Sequence, residues 1–343
     1  MLKINSLIIL LSLSLATAVK YDTVFKTEKR VIPRTIINDI PAMTLGFFSL
    51  KDSLMITQDM RAEQDFLKII GYKKNDLFIE FGTRGRGPDE LPTPKLTGLS
   101  EDGEEFMLFD PNLKKIHYCE INSFSSKPNK VIDLRDSNLQ FIFDARPVNE
   151  NFIISSGLYK DGLFASIDIQ NGYEVNYYGS FPVSPRGIDP YLLSELNKGG
   201  IRLSPSKEYI IFSTINFGYI SCFKIGRNKL EKIWEHWITA PKYEIKNGRV
   251  YLKGDNILGF MDVAVTDEYV YAIYHGKEMS AIRSQKAEDN PETIMKFSLD
   301  KGTPLVKYFT DLPVTRIAIN PEGKLYCIAK PLGYDLVEID EKH

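Results

Sequence analysis

The chain has 343 residues, 43% of them hydrophobic and 12% aromatic, enough apolar matter for one large all-β unit or two smaller domains. Its 43 Lys and Arg stand against 45 Asp and Glu, a net charge of −2 with no basic or acidic tail. Whole-molecule electrostatics therefore supply no drive toward nucleic acid or an anionic membrane surface.

Residues 1–18 carry the three parts of an export signal in order. Lys3 gives a basic start, 7–15 form an apolar run too short to span a bilayer, and Ala16-Thr17-Ala18 makes a small-x-small cleavage site. The expectation is cleavage near Ala18, a periplasmic or secreted product, and one domain over 19–343 with no transmembrane segment. No cysteine lies near the cut, so a bacterial lipoprotein anchor is not expected.

A corner follows at 76–94, DLFIEFGTRGRGPDELPTP. Residues 76–81 alternate like a sheet strand, and Gly82, Gly85, Gly87 and Pro88 then stop both helix and strand. From there one signal recurs: an apolar strand, a tight polar turn and a second apolar strand. The turns fall at Lys51-Asp52, Glu101-Asp102-Gly103, Asn149-Glu150-Asn151, Pro205-Ser206-Lys207, Thr266-Asp267-Glu268 and Pro321-Glu322-Gly323, giving six units about fifty-five residues apart.

Each unit has room for four short strands. The second reads as 95–99, 105–110, 115–121 and 130–134; the fifth as 260–265, 269–274, 293–299 and 306–310. One short helix is expected at 189–197, where Pro190 can occupy the first helical position and Leu192, Leu193 and Leu196 share a face. The expected fold is all-β, a six-bladed β-propeller of four-stranded blades; a β-sandwich would usually stop at far fewer strands. The last unit shows only three strands, 314–320, 324–329 and 334–340. The N-terminal stretch 23–32 has no unit of its own, so we expect it to supply the fourth and close the ring.

Cys119, Cys222 and Cys327 are far apart in alternating apolar runs and read as unpaired core residues. His117, His236, His275 and His343 stand alone, with no close-set metal-ligand spacing, so neither metal nor cofactor is expected. No G-x-S-x-G or nucleotide loop occurs.

The export signal, the irregular six-fold repeat and the corner F-G-x-x-G-x-G-P-x-E-L, here Phe81 to Leu91, together resemble the TolB-like six-bladed propeller family of exported Bacteroidetes proteins. The resemblance implies a fold and a compartment, and no catalytic residue follows from it.

In a four-stranded meander, first-to-second and third-to-fourth turns share one end and the remaining loops share the other. The long loops 82–94, 180–200, 240–259 and 274–291 all belong to the second class, which marks that end as the binding face. Arg84, Arg86, Arg186 and Arg283 fall in those loops, with His275 expected to be a solvated loop histidine. Around Gly85 and Gly87 the guanidinium groups and backbone N–H groups could hold a carboxylate, sulfate or phosphate. Taken alone, the corner is read first as a tight turn set by these glycines and held by Arg86 or Glu90 hydrogen-bonding neighbouring backbone.

On the innermost strands, Asp144, Arg202, Asp262 and Arg316 point to channel binding, or to mutual neutralisation as Arg202 with Asp262 and Asp144 with Arg316. The sequence thus favours an exported, non-catalytic propeller that binds a partner protein, anionic small molecule or glycan. The other reading is a hydrolase or lyase of small sugars or lactones using the channel.

Overall fold

The structure is a computed structural model that describes residues 23–341 apart from 42–45, 47–48, 52, 74–77, 88–89, 101, 227–228, 285–290 and 331–332. The export signal over 1–18 and the turn residues Asp52 and Glu101 lie outside the described residues.

Six antiparallel sheets follow one another along the chain as blades 1 to 6. Their innermost strands are Ser49–Lys51, Lys95–Leu99, Ile142–Pro147, Gly199–Leu203, Phe260–Val265 and Val314–Ile319. The six expected turn positions all fall between the end of a first strand and the start of a second, as far as their residues are described. In blade 5 the second strand is YVYAIY over Tyr269–Tyr274, and five of its six residues are buried. Its β-branched and aromatic side chains suit a pleated strand covered on both faces by neighbouring blades.

Six hydrophobic clusters fill the six interfaces between neighbouring blades. The one that closes the circle joins Met55 and Ile70 of blade 1 to Ile328 and Leu336 of blade 6. Burying each such side chain is worth roughly 1.5–3 kcal/mol. Cys119, Cys222 and Cys327 are fully buried and unpaired in blades 2, 4 and 6, and burial pushes the thiols of Cys119 and Cys222 up to about 12.

The N-terminus does close the ring, by a different segment from the one expected. Arg34–Ile37 pairs antiparallel with Asp335–Ile339 and completes blade 6, while Thr27–Val31 adds parallel to Pro304–Thr310 as a fifth strand of blade 5. Pro33 explains the split: it lacks an N–H and locks its φ, so one continuous strand cannot run through it. The two halves are left to pair with adjacent blades.

The short helix is Pro190–Leu196, with Pro190 in its first turn and the Asp189 carboxylate accepting the Tyr191 N–H at 2.9 Å. A hairpin outside the blades, Tyr243–Lys246 with Arg249–Leu252, lies in the stretch expected to be loop. Asn247 and Gly248 make its turn with φ of 50° and 67°, as a two-residue hairpin turn of this hand requires. The long connections 84–94, 179–198, 238–259 and 275–292 do share one end of the ring. A nine-residue third-to-fourth connection, 121–129, belongs to the opposite end and is an exception to the expected segregation.

Candidate functional site

The corner is shaped by Glu90. Its carboxylate accepts the Gly87 N–H at 2.8 Å, and a Cβ on Gly85 would stand 1.9 Å from Glu90 Oε2. Gly82 has a φ of 92° and lies against the Phe66 ring, where a Cβ would meet a carbon at 2.7 Å. These contacts account for the glycines of the motif by close approach and backbone conformation.

The two corner arginines differ. Arg84 Nε donates to the Ala62 carbonyl at 2.8 Å, Nη2 approaches the Asp59 carbonyl at 3.4 Å, and the guanidinium lies 5.1 Å from the Phe66 ring centroid. It clips the 59–63 loop of blade 1 to the corner. Arg86 is exposed, with no hydrogen bond or ion pair among the described residues, and it lines a cleft of about 700 Å³ between the corner and blade 2.

His117 lines the same cleft from the third strand of blade 2, Lys115–Glu120. It is 6% exposed, and both ring nitrogens are buried without a hydrogen-bond partner. Burial holds the imidazole below its ordinary pKa; Asp110 pulls it back up and Lys115 pushes it further down. Lys115 also lines the cleft, with Nζ 3.9 Å from Asp133, as do Asn112 and Ser126. Among the described residues Glu90 is the acidic group of the lining, and its carboxylate is folded onto the Gly87 N–H. Nearby Asp110 is saturated by the N–H groups of Thr93, Asn112 and Leu113 and the Thr93 hydroxyl, at 2.7–3.0 Å. In the sequence His117 is only one of four isolated histidines. Its position opposite the corner depends on blade packing, which no local pattern encodes.

In the channel, Arg202 Nη2 donates to Asp262 Oδ1 at 2.6 Å, in agreement with one of the two sequence readings. Arg202 Nε also donates to the Val263 carbonyl, and Asp262 accepts the N–H groups of Val263 and Ile317. Asp144 pairs with Arg146 at 2.9–3.0 Å and not with Arg316. Arg146 in turn donates to the Thr97 carbonyl of blade 2. Arg146 sits two residues from Asp144 on one strand, so both point to one face, a signal legible in QFIFDAR. Arg316 Nη1 donates to the neighbouring Thr315 carbonyl at 2.7 Å and makes no ion pair among the described residues.

The remaining candidates lie apart from both the cleft and the channel cavity. Arg186 is exposed in the 179–198 connection, and exposed Arg283 ends the helix Met279–Arg283, where Nη2 reaches the Leu252 carbonyl of the hairpin at 3.3 Å. His275, expected to be solvated, is 7% exposed, its backbone N–H donating to the Gly259 carbonyl at 2.7 Å. That bond draws the start of the 275–292 connection down onto blade 5.

Six blades built on four-stranded meanders, closed by an N-terminal strand, define a six-bladed β-propeller. The profile of the TolB-like 6-blade propeller-like family matches residues 46–322, and the chain belongs to that family. Among solved structures it is similar to a Bacteroides fragilis protein named as a presumed exported protein, at 10% identity and a TM-score of 0.56 over 92% of this chain and 99% of that one. It is also similar to a DUF4221 family member from Bacteroides vulgatus, at 10% identity and 0.57 over 91% and 96%. A luciferin-regenerating enzyme is similar at 10% identity and 0.50 over 90% and 94%. Likeness at this identity carries the fold alone. No curated protein matches the chain significantly.

Proposed function

We propose that this chain is an exported, non-catalytic binding propeller whose corner cleft takes a small ligand bearing a carboxylate or phosphate. The observation that carries the reading is His117: buried, with neither ring nitrogen hydrogen-bonded, it faces a cleft that Arg86 and Lys115 also line. A buried polar group without a partner costs roughly 1–3 kcal/mol. An oxyanion beside His117 would offset that cost and give the unengaged guanidinium of Arg86 a bidentate partner. Export is supported by the segment 1–18 and by the likeness to a presumed exported Bacteroides protein.

The test is calorimetric titration of the folded protein with citrate and with inorganic phosphate at low ionic strength. Saturable binding that falls at least tenfold in both Arg86→Ala and His117→Phe, with melting unchanged in Arg86→Ala, supports the reading. Binding that survives both substitutions, or no binding by the parent, counts against it.

A further inference from the structure

A second cavity, of about 390 Å³, occupies the channel at the end where the first-to-second turns emerge. Five blades contribute their inner strands to it. The walls are mainly apolar, with Leu99, Val265 and Ile319 among them, while Arg146 and Arg202 reach it from deeper in the channel and Lys207 stands in a turn at the mouth. No Asp or Glu is among the described residues that line it. The carboxylates that pair with the two arginines, Asp144 and Asp262, lie outside the lining, so each ion pair turns its cationic member toward the cavity.

We propose that this cavity is a binding site for small amphipathic anions, aliphatic carboxylates with an apolar body. The head group meets the guanidinium edges, where the low dielectric strengthens charge-assisted hydrogen bonds. The aliphatic body lies along the walls, where its removal from water favours binding. A cavity of this size suits a small molecule, and its walls disfavour a sugar, whose hydroxyls would find few partners there. The site is independent of the corner cleft: it lies on the channel axis, opens at the opposite end, and shares no lining residue with it.

The probe is octanoate, titrated calorimetrically below its micelle-forming concentration, with acetate and octylamine as controls. Acetate lacks the body and octylamine reverses the charge. The expected result is one saturable octanoate site per chain, with acetate and octylamine at least tenfold weaker. Ala264→Phe, which fills the cavity, should abolish binding, and Lys207→Glu at the mouth should weaken it severalfold. Arg86→Ala should leave it unchanged, which separates this site from the corner. Lys207→Glu decides the matter if Ala264→Phe does not fold. Octylamine binding as tightly as octanoate, octanoate binding indifferent to Lys207→Glu, or loss of it in Arg86→Ala would overturn the proposal.

Discussion

In the channel, Arg202 meets Asp262 at 2.6 Å and Arg146 meets Asp144 at 2.9 Å, and the same side chains reach across to backbone groups of adjoining blades. At the rim, Arg86 and His117 line a cleft with no such partners among the described residues. Residues of one chemical kind thus serve two ends. Where a charge staples neighbouring inner strands, the fold depends on it; where it is left unengaged, as at Arg86, the fold does not. Two arginines only two residues apart, Arg84 and Arg86, repeat the contrast within one corner.

The largest effect that would sharpen this contrast is expected in the channel. Asp262→Ala leaves Arg202 without its buried counter-charge and strips acceptors from the N–H groups of Val263 and Ile317, at a cost of about 3 kcal/mol. Chemical denaturation measures that loss, and citrate binding at the corner should persist in the folded fraction. A loss under about 1 kcal/mol would mean that the pair is not a staple.

Next comes Arg84→Ala, which removes two bonds to backbone carbonyls and the packing on Phe66, for about 2 kcal/mol. A smaller effect is expected from pH. The His117 and His236 imidazoles are both held below their ordinary value, chiefly by burial, so the folded state resists protonation that the unfolded chain accepts. Their stabilising contribution is complete above a pH of about 6.5 and is lost as pH falls through their depressed folded values. Melting temperature should therefore decline as pH falls below about 6.5, with a shallower slope in His117→Phe. The smallest stability effect belongs to Arg86→Ala, within about 0.5 kcal/mol of the parent. A larger loss there would erase the contrast between the two arginines.

Blade count, turn positions and most strand limits are legible in the sequence because each rests on local alternation and turn chemistry. The second and fifth units match the expected strands closely, and Asp189-Pro190 marks the start of the short helix. The closing strand differs from expectation because 23–32 and Arg34–Ile37 are both strand-like, and only long-range packing decides which blade each joins. Asn247-Gly248 is a readable hairpin signal inside a stretch whose length alone suggests loop. Of the candidate site, Arg86 stands in the motif, and the Arg202–Asp262 pair follows from the similar places of the two residues on inner strands. His117 does not follow, because an isolated histidine in an apolar run gains meaning only when another blade's corner is laid against it.

The most direct test of the corner cleft is to follow the histidine ring protons by NMR while citrate is added, using His117→Phe to assign the His117 signal. The His117 signal should shift with the binding isotherm and its pKa should rise on saturation, while the signals of His236 and His275, which lie outside the cleft, stay in place. Saturable citrate binding that leaves the His117 signal unmoved would contradict this.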